Sequence, residues 1–144
     1  MACFSPDLET AIINNLLRGQ SLDFGGGASG PATSTVYVGL FTALPTGGIG
    51  GTEVSGGSYA RVAVNSTTGN WAAPSNGETS NAIPIKFAVP SADWGDVLGV
   101  GIWTASTGGT LLLHGTVSPT RTITNGQAAP VFIPGALILR LDQG

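Results

Sequence analysis

From Thr35 onward the sequence consists of short runs in which apolar side chains alternate with polar or small ones. A period of two residues puts alternate side chains on opposite faces of a strand, so each run predicts a β-strand. In the run IPIKFAV, the residues expected to share one face are Ile83, Ile85, Phe87 and Val89. The predicted strands are Thr35 to Thr42, Tyr59 to Val64, Ile83 to Val89, Val97 to Trp103, Thr110 to Val117, Thr120 to Thr124, Val131 to Ile133 and Ala136 to Leu141.

Turn residues, and not helices, connect these runs. Thr107-Gly108-Gly109 and Asn125-Gly126 separate neighbouring runs and are typical of tight turns. Parallel strands need a long crossover, usually a helix, and no helical pattern separates the runs. The sequence therefore predicts a mainly β fold, an antiparallel β-sandwich or jelly-roll-like domain over residues 35–144, preceded by one short N-terminal α-helix.

That helix is predicted over Pro6 to Arg18. Ser5 is a favourable N-cap, Pro6 occupies the first helical position, and Gly19 can end the helix. Glu9, Asn14 and Arg18 are expected to face away from the surface that the helix packs against. The apolar face at helical spacing consists of Leu8, Ile12, Ile13, Leu16 and Leu17.

The segment between this helix and the first strand is rich in glycine, serine and proline. Residues 25–34 are predicted to form a flexible linker, which makes residues 1–24 an N-terminal helical arm. The arm is expected to help hold the protein in an assembly through its apolar residues, and the alternative is that the helix packs on its own domain. The predicted assembly interface consists of Phe4, Leu8, Ile12, Leu16 and Leu17.

Charge and hydropathy limit the partners of this chain. Its 144 residues, 42% of them hydrophobic, fit one folded domain. The net charge is −3 and no basic cluster is present, so nucleic acid is not an expected partner. No apolar run approaches the roughly 20 residues of a membrane helix, and the N-terminus lacks the basic region of a secretory signal. We therefore expect synthesis in a cytoplasm, no membrane partner, and an uncharged surface suited to packing against neighbours.

Few residues are able to do chemistry. His114 is the single histidine and lies near no nucleophile motif, and Cys3 is the single cysteine. Asp93 and Asp96 lack the further oxygen ligands of a calcium loop and are expected to cap backbone groups. Gly25 to Gly30 has the spacing of a phosphate-binding loop but not the preceding strand or following helix. No enzyme activity, cofactor, metal site or catalytic residue is predicted.

The three tryptophans raise the question of a sugar site, since flat aromatic rings can bind carbohydrate. Trp71, Trp94 and Trp103 are instead predicted to pack in the core and at its rim, because tryptophan usually buries most of its area. In the stretch GTEVSGGSYARVAV, the glycines permit a turn with positive φ, and Ser55 and Arg61 are interpreted as architecture. A Glu53–Arg61 pair across that turn is expected at the surface, where it would contribute about 0–1 kcal/mol.

Four strings carry a resemblance that covers nearly the entire chain: YVGLFTALPTGGIGGTEVSGGSYARVAV, GETSNAIPIKF, ADWGDVLGVGIW and TGGTLLLHG. The Thr79-Ser80-Asn81 turn, Asp93-Trp94-Gly95 and a final LILRLD extend it. These residues resemble a family of tailed-bacteriophage virion structural proteins. Members of such families are head decoration (cement) proteins or tail-fibre proteins, so the resemblance implies a structural role and no enzyme.

Three hypotheses follow for the function. The first is a capsid decoration protein that forms a homo-oligomer, most simply a trimer, on the head and binds the major capsid protein. The alternative is a tail-fibre or tail-adaptor domain that touches the host receptor, including a carbohydrate receptor, through loops and exposed tryptophans. A carbohydrate-binding module is the third. The first two place the protein in the virion after synthesis in the host cytoplasm.

Overall fold

A computed structural model describes residues 5–21, 35–46 and 50–141 of the chain. Three features of the sequence analysis lie outside these residues: Cys3, Phe4 and the predicted linker with its Gly25 to Gly30 run. The described elements are one helix and nine strands, and the fold class is mainly β with antiparallel sheets. They are α1 (Pro6–Arg18), β1 (Thr35–Ala43), β2 (Thr52–Glu53), β3 (Val62–Asn65), β4 (Glu78–Ser80), β5 (Ile85–Lys86), β6 (Gly95–Trp103), β7 (Leu111–Ile123), β8 (Val131–Phe132) and β9 (Ile138–Arg140).

The helix begins and ends where its capping residues predict. The Ser5 hydroxyl accepts a hydrogen bond from the backbone N–H of Leu8 at 3.3 Å. Gly19 adopts a left-handed conformation with φ of 65°, and its N–H donates to the Asn14 carbonyl. The predicted helix over Pro6–Arg18 is therefore confirmed. Within the described part of the chain, no helix has the length and apolar character needed to cross a membrane.

Strand β1 is the centre of the largest sheet. This five-stranded sheet runs in the order β2-β1-β6-β7, and β3 also pairs with β1. The β1–β6 ladder is antiparallel and runs from Tyr37 opposite Trp103 to Phe41 opposite Gly99. Two smaller sheets each contain two strands, β4 with β9 and β5 with β8. All pairings with a described register are antiparallel, as expected from the absence of helical crossovers.

Several strands differ in length from their sequence patterns. The run that starts at Tyr59 becomes a strand at Val62, because Gly56, Gly57 and Ser58 all have positive φ and form a turn. The two runs over residues 110–124 form one strand, β7, whose register shifts opposite Val97 to Gly99. Val89 is predicted to share a face with Ile85 and Phe87, but those two are buried whereas Val89, three residues beyond the end of β5, is 57% exposed.

The chain folds into two compact units. The first comprises the described parts of Met1–Thr35, Asn65–Ile85 and Phe132–Gly144, and the second those of Val36–Val64 and Lys86–Val131. The second unit contains most of the five-stranded sheet, and the first contains α1 with the β4–β9 pair. The predicted boundaries at residues 24 and 34 fall in a segment outside the described residues and stay predictions.

Helix α1 packs within the first unit along a stripe that contains Ile13 and Leu17 of the predicted face and, in addition, Glu9. Glu9, Ile13 and Leu17 are buried, with exposed fractions of 0%, 4% and 0%. The prediction that Glu9 faces away is wrong, because its carboxylate lies against Gly77, where a Cβ atom would come within 2.6 Å of Oε2. At the other end of the helix, the Ser66 hydroxyl donates to the Leu16 carbonyl at 3.0 Å.

Candidate functional site

The residues of the predicted helix interface differ in how far they are buried within their own chain. Leu17 is fully buried within its own chain, and Leu8, Ile12 and Leu16 are half-buried. Phe4 lies outside the described residues. The half-buried leucine and isoleucine side chains keep part of their surface available to a neighbour, and their role in assembly stays a prediction.

The residues considered for catalysis or metal binding are held in structural contacts or stand apart. Asp93 accepts a hydrogen bond from the backbone N–H of Asn125 at 2.8 Å, which is the capping role expected of it. Asp96 accepts one from the Thr122 hydroxyl at 2.5 Å. His114 is exposed on β7, opposite Gly101 of β6. Among the described residues, no three histidine, cysteine, aspartate or glutamate side chains lie close enough to hold a metal ion.

All three tryptophans are buried. Trp71, Trp94 and Trp103 are 0%, 5% and 6% exposed, which confirms core packing. The Trp94 indole N–H also donates to the Gly57 carbonyl at 2.9 Å. Tryptophans exposed on loops, as the receptor-binding hypothesis expected, are therefore absent, since every tryptophan of the chain lies in the described part. No tryptophan ring offers a face on which a sugar could stack.

Glu53, Tyr59 and Arg61 form a connected set of polar contacts in the second unit. The Arg61 guanidinium binds the Glu53 carboxylate through two hydrogen bonds, from Nε to Oε1 and from an Nη to Oε2, both 2.7 Å long. This fork-to-fork geometry is the strong form of the arginine–carboxylate pair. The predicted pairing is confirmed, but its predicted surface location is wrong, because the Arg61 side chain is only 7% exposed.

Arg61 reaches beyond Glu53 to the loop between β6 and β7. Its remaining terminal nitrogen donates to the carbonyls of Ala105 and Gly108, at 2.8 and 2.7 Å. The guanidinium also lies over the Trp103 ring, 4.0 Å from the ring centroid, in a cation–π contact. One side chain thus joins the turn that precedes β3 to the far end of the β6–β7 hairpin. The interpretation of Arg61 as architecture is consistent with each of these contacts.

A glycine in the middle of β1 makes room for this group of side chains. A Cβ atom on Gly39 would come within 2.6 Å of the Tyr59 hydroxyl and 2.8 Å of the Trp103 ring. Glu53 would also be 2.9 Å away. The interruption of the apolar run VYVGLFT by glycine is the sequence signal that another group approaches the strand closely at this point.

Tyr59 completes the group and stays protonated. Its hydroxyl donates to Glu53 at 2.9 Å and accepts the backbone N–H of Leu40 at 2.8 Å. Burial is the main cause that raises the pKa of the Tyr59 phenol well above its usual range. The phenol therefore stays protonated, and donates to the carboxylate, further into the alkaline range than an exposed tyrosine would.

Raising the pH above about 10, where tyrosine ionises in an unfolded chain, is expected to destabilise the protein. The unfolded state then loses the Tyr59 proton while the folded state keeps it, so the free energy of unfolding falls as the pH rises. Tyr59→Phe should cost about 1–2 kcal/mol at neutral pH, because it leaves the Leu40 N–H without its acceptor. Denaturant unfolding of both proteins from pH 7 to pH 11 measures the effect. A wild-type slope above pH 10 no steeper than that of Tyr59→Phe would contradict it.

A second polar centre lies in the first unit around the buried side chain of Asn81, which is 1% exposed. Its amide nitrogen donates to the carbonyls of Ile83 and Ile133 at 2.8 and 2.9 Å, and more distantly to Phe132 at 3.3 Å. Its side-chain oxygen accepts the backbone N–H of Leu137 at 2.8 Å. All hydrogen-bond partners of the side chain are thus backbone groups, one close in sequence and the others more than 50 residues away.

The main chain of Asn81 binds the same turn. Its N–H donates to the Leu137 carbonyl at 3.2 Å and its carbonyl accepts the Gly135 N–H at 2.7 Å. The turn is closed by a hydrogen bond from Ala136 to Ile133, and Gly135 has a φ of 80°. The sequence pattern placed Asn81 in a turn but held no signal that it would be the buried residue that shapes residues 133–137.

This turn has an apolar outer surface. Ile133 and Ile138 are 62% and 58% exposed. Among the described residues these are the largest values for exposed large hydrophobic side chains, which also include Val89 and Val131. Pro134 and Ala136 lie between the two isoleucines and are exposed as well. No charged residue occurs between Arg121 and Arg140.

The sequence matches one family model, described as Podophage GP4 fiber I protein gp80, over residues 4–140. The match covers the helix and every strand of the structure. No curated protein matches the chain. The family described by this model is one of virion structural proteins of tailed phages.

Proposed function

The chain belongs to the podophage GP4 fiber I protein gp80 family, and from this premise we propose that it is a structural component of a podophage fibre. The observation that carries the proposal is the extent of the match, which spans residues 4–140 and so includes both compact units. Membership of this family makes the chain a tailed-phage virion structural protein. The proposal adds the location within the particle.

The proposed role is mechanical and needs no catalytic step. Only 9% of the residues are charged, so neighbouring copies in an assembly would bring few like charges close together. Two buried polar side chains hold turns in place. Arg61 fixes residues 105–108, and Asn81 fixes residues 133–137. Rigid turns reduce the entropy lost when a protein is ordered in an assembly. Assembly through Leu8, Ile12 and Leu16 and a trimeric state both remain part of the proposal.

The family description favours the fibre over the head. Capsid decoration, and with it binding to the major capsid protein, gains no support from a model that describes a fiber protein. If the fibre touches a receptor, contact through the polar loops between strands fits the structure better than stacking on tryptophan, because all three tryptophans are buried.

Labelling of intact virions is expected to place the protein on tail-associated fibres. Antibodies raised against the purified chain would be applied to intact particles and located by gold labelling in the electron microscope. Antibody preadsorbed with the purified chain provides the matched control, because it retains every other specificity. Gold distributed over the head lattice would overturn the fibre proposal and restore capsid decoration.

A further inference from the structure

The exposed surface of the turn held by Asn81 is unusual for a turn. Turns are ordinarily polar, because their residues face water and favour Gly, Asn, Asp and Ser. Here the outward residues are apolar, and two of them are large: Ile133, Pro134, Ala136 and Ile138, called the apolar turn below. Exposed apolar residues close together on a surface are a common feature of interaction sites.

The apolar turn is preorganised. Three hydrogen bonds of the Asn81 side chain and two of its main chain hold residues 132–137 in place. A fourth side-chain bond goes to the carbonyl of Ile83, in the segment before β5, and fixes the orientation of the Asn81 amide. Because the turn is already ordered, little conformational entropy is lost when a partner docks on it, which favours binding. A buried amide that only stabilised the fold would not require apolar residues on the opposite side of the turn.

Charges at the margin of the apolar turn indicate which partner fits. Arg140 and Glu78 are opposite each other in the β4–β9 pair, next to Ile138, and form an ion pair. Both remain exposed, with side-chain fractions of 70% and 36%. The surface therefore has an apolar centre and a rim that carries both signs of charge, which is the usual anatomy of a protein interface.

A rim with one positive and one negative side chain is complementary to itself. When two identical surfaces meet about a two-fold axis, each residue of one copy contacts the partner residue of the other. The arginine of one copy can then approach the glutamate of the second, while the uncharged centres meet without like-charge repulsion. An acidic or a basic partner would gain from one rim charge and be repelled by the other.

From these observations we propose that the apolar turn is a self-association surface on which a second copy of this chain docks. Ile133 and Ile138 would be the main side chains buried, and Arg140 and Glu78 would set the orientation. The proposal does not depend on where the protein lies in the virion, so it can fail or succeed independently of the fibre assignment. It is also distinct from the proposed trimer, which would form through Leu8, Ile12 and Leu16.

Sedimentation equilibrium of the full chain over a range of concentrations tests the proposal. The wild-type chain is expected to associate reversibly, and Ile138→Thr should weaken association at least roughly tenfold, because each copy loses buried apolar surface. Ile133→Thr combined with Ile138→Thr should weaken it further. Threonine keeps the β-branched shape that strands prefer, so the fold is retained.

Val89→Thr is the matched control, because Val89 is exposed to nearly the same extent as Ile138 and lies outside the apolar turn. It should leave association unchanged. A melting temperature that rises with protein concentration for wild type, and not for the double variant, would support the proposal by a second measurement. A wild-type chain that stays monomeric would overturn it and leave the surface to a different virion protein. Equal weakening by Val89→Thr would overturn the assignment to this turn.

Discussion

Asn81→Ala is expected to lower the free energy of unfolding by about 4 kcal/mol, the largest effect predicted for a single substitution in this chain. The buried N–H of Leu137 would lose its acceptor, and the carbonyls of Ile83 and Ile133 would lose their closest side-chain donor. Each buried polar group left without a partner costs about 1–3 kcal/mol. The cavity left by the amide adds to that cost. Denaturant unfolding followed by circular dichroism measures the difference.

Asn70→Ala provides the matched control. Asn70 also donates from its side-chain amide to a carbonyl, that of Asn65, but it makes this contact at the surface. Water can replace such a bond, so the expected loss is at most about 1 kcal/mol. Equal losses for Asn81→Ala and Asn70→Ala would contradict the view that burial makes the Asn81 contacts costly to remove.

Asn81→Asp separates hydrogen bonding from side-chain volume. The carboxylate has nearly the same shape and can still accept the Leu137 N–H, but it has no hydrogen to offer the carbonyls of Ile83 and Ile133. It would also place a charge in a buried site beside those carbonyl oxygens. We therefore expect Asn81→Asp to be at least as destabilising as Asn81→Ala. A neutral effect would show that the amide donors matter little.

Local signals explain why the first and last residues of the helix could be predicted. Ser5, Pro6 and Gly19 act within one turn of the helix ends, and the structure uses Ser5 and Gly19 as the sequence predicts. The period of the apolar residues was less informative about which face is buried. Glu9 joins the buried stripe only because Gly77, far along the chain, leaves space for its carboxylate. No pattern within the helix contains that information.

Strands can be predicted from the alternation of apolar and polar residues. The observed strands differ from the predicted ones where pairing with a distant segment determines their bounds. β4 (Glu78–Ser80) lies where the sequence indicates a turn, because three polar residues have no apolar alternation to mark a strand. Its pairing with β9, which places Glu78 opposite Arg140, supplies the ladder. β5 is shorter than its run of alternating residues because it pairs with only the two residues of β8.

The two polar centres could likewise be predicted only where their contacts are close in sequence. The Glu53–Arg61 pair could be predicted, since the two residues are close in sequence and of opposite charge. Its burial could not, because the atoms that cover it belong to Trp103 and to the loop at Ala105 and Gly108. The partners of the Asn81 side chain are likewise mostly more than 50 residues away.

Arg61→Met is expected to lower the free energy of unfolding by about 3 kcal/mol, the second large effect. The substitution keeps an unbranched apolar stem but leaves the Glu53 carboxylate without its fork-to-fork partner. Removing one member of a buried ion pair costs about 3–5 kcal/mol, because the other charge stays desolvated. The Glu53 side chain is 27% exposed, so water recovers part of that cost, and we expect the lower end of the range.

Arg61→Lys tests whether charge alone is sufficient. A lysine ammonium keeps the positive charge but cannot span both carboxylate oxygens and the carbonyls of Ala105 and Gly108 in the planar geometry of a guanidinium. We expect a loss of about 2 kcal/mol, between wild type and Arg61→Met. A double-mutant cycle with Glu53→Gln then measures the coupling between the two side chains. Coupling near zero would assign the loss to the loop and Trp103 instead of the ion pair.

Arg140→Met is the matched control, since Arg140 pairs with Glu78 through the same types of atoms but has a side chain that is 70% exposed. Solvent screens such a pair, and the expected loss is about 0–1 kcal/mol in the folding of the monomer. Both substitutions remove one guanidinium from one glutamate, so the difference between them measures what burial and the further contacts of Arg61 add. If Arg61→Met and Arg140→Met lower stability equally, the contacts of Arg61 with Trp103 and with the β6–β7 loop do not stabilise the fold as the geometry indicates.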